Sequence, residues 1–209
     1  MKRAALSAIL LVLVAAGSSP AAVHVSILGG YALPTEKNYA GAFAFGGRLS
    51  FDLHQYFAIE VSGFRYETSV AGTEDGLSKG TLAVLPLEVS LVGRLPLSGG
   101  RFTPTFAVGA GYFIHQFSLD PQIGADWETV GFSITEKLDN AIGFHLGVGL
   151  DIALNRSLSL VVDAMFRFAE SKAAWTMTDQ TSHEEISGAL EKLDQGSIAL
   201  GIGLKFSLR

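Results

Sequence analysis

Five histidines and no cysteine set the bounds on chemistry in this chain. Without a thiol there is no disulfide, no thiolate metal site and no cysteine nucleophile. His24, His54, His115, His145 and His183 fall in five separate segments, without the spacing of a metal-ligand set. Nucleophilic catalysis by serine needs a histidine within hydrogen-bond reach and an acid to orient it. Ser90 and Ser159 are the candidate serines and His115 and His145 the candidate bases, with Asp163 near His145 if the turn at Asn155 is tight. No diagnostic motif surrounds them, so they are read as packed, hydrogen-bonded structure. The expectation is a non-enzyme without a cofactor.

A second set of residues is more distinctive. Arg48, Arg94, Arg167 and Lys205 balance Glu60, Glu88, Asp151 and Asp163, and each sits in an otherwise apolar or small-residue stretch. Such a set, brought together out of water, makes an ion-pair network. The same set around water lines a polar passage.

What would bring these charges together is a period of two. In 158–168, Leu158, Leu160, Val162, Ala164, Phe166 and Phe168 alternate with Ser159, Val161, Asp163, Met165 and Arg167. In 198–208, Ile198, Leu200, Ile202, Leu204, Phe206 and Leu208 alternate with Ala199, Gly201, Gly203, Lys205 and Ser207. Segments at 23–31, 43–52, 57–65, 84–95, 105–115 and 142–152 repeat the pattern. A strand sends alternate side chains to opposite faces. Across all eight segments the apolar face carries one charge, Arg65, at a strand end. His24, His115 and His145 fall on the other face, with Asp52 at its rim.

Strands of soluble sandwiches are usually about 5–6 residues long. Most of these run to about ten, the roughly 9–11 residues a tilted membrane strand requires. Mean hydropathy is +0.35, yet no apolar run after residue 16 approaches the ~20 residues of a spanning helix. Connections alternate short (Leu53 to Tyr56, Pro96 to Arg101, Leu154 to Arg156) and long (Leu33 to Gly41, Glu67 to Gly80, Ser118 to Asn140, Ala169 to Gly196). The expected fold is all-β: an eight-stranded antiparallel up-and-down transmembrane β-barrel, with three short turns on the side of the termini. Closure pairs every backbone polar group and leaves no edge in hydrocarbon. With Arg48 near Glu60 across one strand pair, Glu88 and Arg94 on the next strand could extend that cluster. Ser182-His183-Glu184-Glu185, followed by Ile186, Leu190 and Leu193, has the spacing of a capped helix or of a polar loop continuing the hairpin.

The long loops are acid-rich, with Glu74, Asp75, Asp120, Asp126, Glu128, Glu184 and Glu185. Trp127, Phe132, Trp175 and Met177 within them suit an upper membrane girdle. Residues 1–21 read as a cleaved signal peptide: Met1-Lys2-Arg3, an apolar run to Ala16, then small residues to Ala21. Residues 22–209 form the barrel domain. Formal net charge is -5 with no basic tract, so no nucleic-acid partner is expected.

Leu85-Pro86-Leu87-Glu88-Val89-Ser90, Thr103 to Tyr112, Gly147-Val148-Gly149-Leu150-Asp151 and Gly201 to Phe206 resemble the small eight-stranded outer-membrane barrels of Gram-negative bacteria. That group contains OmpX, OmpW and the OmpA transmembrane domain, and the resemblance covers nearly all of the mature chain. It implies a bacterial outer-membrane location with periplasmic termini and extracellular long loops. The implied partners are outer-membrane lipid, lipopolysaccharide and the barrel-insertion machinery. Members commonly end in Phe, read by that machinery, whereas this chain ends Phe206-Ser207-Leu208-Arg209. Three functions are open: a structural or envelope-interaction role without catalysis, a narrow porin-like channel or transporter for small solutes through the lumen or a lateral opening, and, last, a lipid-modifying barrel enzyme.

Overall fold

In a strand with one face in hydrocarbon and one in a crowded lumen, the outer face selects large apolar side chains and the inner face small or polar ones. A computed structural model describes residues 22–72 and 77–208, and its strands follow that rule. Residues 1–21, where the signal peptide is expected, and Glu74, Asp75 and Arg209 lie outside the described residues. Eight strands form a closed ring: β1 (Val23–Pro34), β2 (Ala42–His54), β3 (Phe57–Val70), β4 (Gly80–Arg94), β5 (Phe102–Leu119), β7 (Ala141–Ala153), β8 (Leu158–Asp179) and β10 (Ser197–Leu208). Each pairs antiparallel with the next, and β10 closes on β1 from Val23↔Leu208 to Pro34↔Ser197.

Outward residues include Phe43, 84% exposed, Ile142, 74%, and Phe144, 68%. A continuous band of such side chains is a lipid-facing surface. Arg65 points outward and pairs with Glu67, which is exposed on the same face two residues on. Arg65 does not end its strand, because β3 continues to Val70. Beside it the β3–β4 ladder skips from Gly63↔Leu87 to Tyr66↔Val84. Pro86 lies in that gap and has no amide hydrogen to donate.

The two ends of the ring differ. At the turn end the connections are tight, as in Ser98-Gly99-Gly100, where the glycines take φ of 69° and 87°. At the loop end β5 and β8 run past the ring. The segments 118–140 and 169–196 are therefore not open loops. Helix α1 (Pro121–Thr129) is capped by Asp120, whose side chain accepts from the Gln122 amide. Strands β6 (Phe132–Leu138) and β9 (Glu185–Asp194) flank the upper half of β8 in a second sheet. From Glu185 onward the 182–193 segment is thus strand, not helix. Pairing with β8 satisfies its backbone, and Gly188 packs beneath the Trp175 indole, a seat any Cβ would fill. Trp127, Phe132, Trp175 and Met177 are half-buried on α1, β6 and β8.

Inside the ring the filling also changes with height. Toward the loop end it is apolar, with Phe113, Leu82, Val84, Tyr66, Leu77 and Leu138 buried together. Below that layer it is polar and charged.

Candidate functional site: the charged lumen

All eight charges singled out from the sequence point into the ring. Arg167 on β8 crosses the lumen to Glu88 on β4, donating through Nε at 2.8 Å and Nη2 at 3.0 Å. This forked geometry is the strong form of a charge-assisted bond. The Glu88 carboxylate also lies 3.4 Å from Ser62 Oγ and 3.5 Å from His145 Nδ1. Ser90 and His145 share a 2.7 Å bond between Oγ and Nε2. The His145 ring fits because residue 109 is glycine: a Cβ there would stand 2.6 Å from the ring and 2.1 Å from the Val89 carbonyl oxygen.

One level lower, Arg48 sits between two carboxylates, with Nε 3.3 Å from Glu60 and Nη2 donating to Asp163 at 2.7 Å. The Arg48–Glu60 proximity agrees with the sequence reading, although Arg48 faces Ser62 and reaches Glu60 diagonally. Glu88 and Arg94 do not extend this pair. Glu88 is taken by Arg167, and Arg94 turns down to Asp52 and to Ser50 Oγ at 2.7 Å. Lys205 holds Asp151 beside them.

Asp163, expected near His145, instead lies with Arg48. The two strands pair His145↔Arg167 and Gly149↔Asp163, which sets Asp163 four residues toward the turn end. Glu88 takes the place beside the imidazole. Ser159 is on the inner face opposite Lys205 and meets no histidine. His115 is buried near the loop end, where its Nδ1 contacts the Asp139 carbonyl at 2.9 Å and Ser171 Oγ at 3.4 Å.

A second serine–histidine–acid row was not foreseen. At the turn end, His24 Nδ1 meets Ser207 Oγ and His24 Nε2 meets Asp52 Oδ2, both at 2.9 Å. The signal for it was present, since His24, Asp52 and Ser207 all fall on inner-face positions near the same end of adjacent strands. Among the described residues no group of three or more metal-ligating side chains comes together.

The space left is small. One cavity of about 20 Å³ touches Glu60, Arg94, Asp151 and Lys205, and another of about 20 Å³ touches Phe64, Arg167 and Gly201. Arg48, Asp163 and Met165 border both, so the two stand on either side of that layer. Each has room for about one water. A larger cleft of about 690 Å³ lies in the wall between β5 and β6, where Tyr112, Ile114, Phe117 and Leu138 share the lining with the polar His115, Gln116, Glu136, Lys137, Asp139 and Asn140.

Solved structures share this architecture at low identity. OprG from Pseudomonas aeruginosa is 17% identical with a TM-score of 0.68, covering 90% of this chain and 97% of its own. Neisserial surface protein A is 10% identical with a TM-score of 0.57, covering 90% and 97%. The outer membrane protease OmpT from Escherichia coli is 9% identical with a TM-score of 0.53, covering 92% and 100%. No curated protein matches the chain. The outer membrane protein beta-barrel domain family matches residues 4–206. The chain therefore belongs to that family and is an outer-membrane β-barrel protein.

Proposed function

We propose that this protein is a sealed barrel with a structural or envelope-interaction role and no catalysis. The observation that carries this reading is the filled lumen. Two water-sized cavities flank the Arg48–Asp163 layer, and the Phe113–Leu82–Tyr66 layer lies toward the loop end. Export by residues 1–21 and assembly by the barrel-insertion machinery would deliver it to the outer membrane. The termini and short turns would face the periplasm, with the acid-rich loop end outside among lipopolysaccharide. The Ser90–His145–Glu88 row supports the absence of catalysis. Its members are buried, and neither cavity of about 20 Å³ reaches them, so a lipid ester has no approach.

Single-channel recording in planar bilayers tests the reading. The expected outcome is no steady conductance from the folded protein, and a stable open level would overturn it. The β5–β6 cleft favours a second reading, passage of a small solute through a lateral opening. Faster uptake of a small solute by cells expressing the protein, with no ionic conductance, would support that alternative.

A further inference from the structure

Charge is distributed unequally between the two ends of the barrel. The loop end mixes both signs, exposing Asp126, Glu128, Asp139, Glu184 and Glu185 beside Lys37, Lys79, Lys137 and Lys172, with Glu170 paired to Lys192. At the turn end the described acids are already engaged, Asp52 by Arg94 and His24 and Asp151 by Lys205. Arg101 and Arg156 are exposed there, and neither forms an ion pair among the described residues.

These two arginines belong to neighbouring turns. The Arg101 carbonyl accepts the Ala153 amide at 2.9 Å, which ties the β4–β5 turn to the end of β7. The next turn carries Arg156, and Asn155 fixes it by accepting the Ser157 and Leu158 amides at 2.9 and 3.0 Å. Around them Leu97 is 53% exposed, Leu154 56% and Phe102 39%. The Arg101 guanidinium stands 5.8 Å from the Phe102 ring centre. Unpaired cations over an apolar collar at a membrane boundary match a phosphodiester headgroup above its acyl chains.

We infer that Arg101 and Arg156, with Leu97, Phe102 and Leu154, form a site for an anionic glycerophospholipid in the inner leaflet of the outer membrane. The site rests on the proposed orientation only for its leaflet. The headgroup chemistry stands on the residues themselves. A phosphatidylglycerol phosphate carries an uncompensated negative charge, whereas the zwitterionic phosphatidylethanolamine brings its own ammonium, so the arginines favour the former.

Native mass spectrometry of the folded barrel, released from detergent with equal phosphatidylglycerol and phosphatidylethanolamine, reads this preference. The wild type should retain phosphatidylglycerol preferentially. The double variant Arg101→Gln/Arg156→Gln should lower that retention about thirtyfold, as expected for removing two charges near a lipid headgroup. Lys137→Gln/Lys192→Gln at the loop end should leave it unchanged. Equal retention of both lipids by the wild type would overturn the site, as would equal loss in the two double variants. All four positions are exposed, and retained heat-modifiable gel migration shows that each variant is folded. Orientation is read separately with Ser157→Cys in this cysteine-free chain. Protection from an impermeant maleimide in intact cells supports the inner-leaflet placement, and labelling overturns that placement alone.

Discussion

Glu88 is the most deeply buried of the lumen charges. It is 1% exposed and holds Arg167 through two bonds, with His145 and Ser62 beside it. Removing one partner of a buried ion pair leaves the other charged and unsolvated, at a cost of about 3–5 kcal/mol. Glu88→Ala is therefore expected to lower stability by that amount in denaturant unfolding of the reconstituted barrel. Glu170→Ala, which breaks an exposed pair with Lys192, should change it by less than about 1 kcal/mol. Which face each charge occupies was legible in the sequence, because a period of two fixes it. The choice of partner was not. Arg167 and Glu88 stand 79 residues apart on strands that are not neighbours, and they meet across the lumen. Local spacing contains no such information. Asp52 lies near the end of β2, at the rim, and Arg94 reaches down to it from β4.

At the scale of strands and turns, the outer face answers to hydrocarbon. Val148, 49% exposed, lies mid-strand on β7, where an outward charge at the bilayer centre is worth about 2–4 kcal/mol. Val148→Arg should lower unfolding stability in lipid vesicles by that amount. A change below about 1 kcal/mol would place β7 outside the hydrocarbon. The β8–β9 turn answers instead to water. The Asp179 carboxylate accepts the Thr181 and Ser182 amides, and these bonds hold its pKa below the ordinary aspartate range. A depressed folded pKa means that the contribution to turn order is present at neutral pH and lost as pH falls through the folded value. Amide exchange at Thr181 and Ser182, corrected for intrinsic rates, should therefore accelerate only in that acid range. Asp179→Asn should weaken the pH dependence. The ring strands were legible because the membrane imposes both their length and their alternation. The upper extension was not: residues 170–179 of β8 carry Glu170, Lys172 and Asp179, and above the bilayer no such constraint marks a strand. The same freedom let the 182–193 spacing read as a helix, although β8 offers that segment a ladder.

For the whole molecule, closure should survive the loss of a single network member. Glu60 borders one cavity of about 20 Å³, and truncation enlarges that space without touching the Glu88–Arg167 pair or the apolar layer near the loop end. Glu60→Ala is expected to lower stability while planar-bilayer recordings stay without steady conductance. A persistent open level in this variant would mean that a wet path already runs beside it. The pairing of β1 with β10 has a kinetic consequence. Val23 meets Leu208, and the His24–Ser207 bond spans 183 positions. Bringing such distant segments together carries a large closure entropy before any contact compensates it. A chain interrupted before its last strand is thus a sheet with two raw edges, open to pairing with other chains. The last strand made is therefore the one that seals the ring, since β10 alone covers the edges of both β1 and β8.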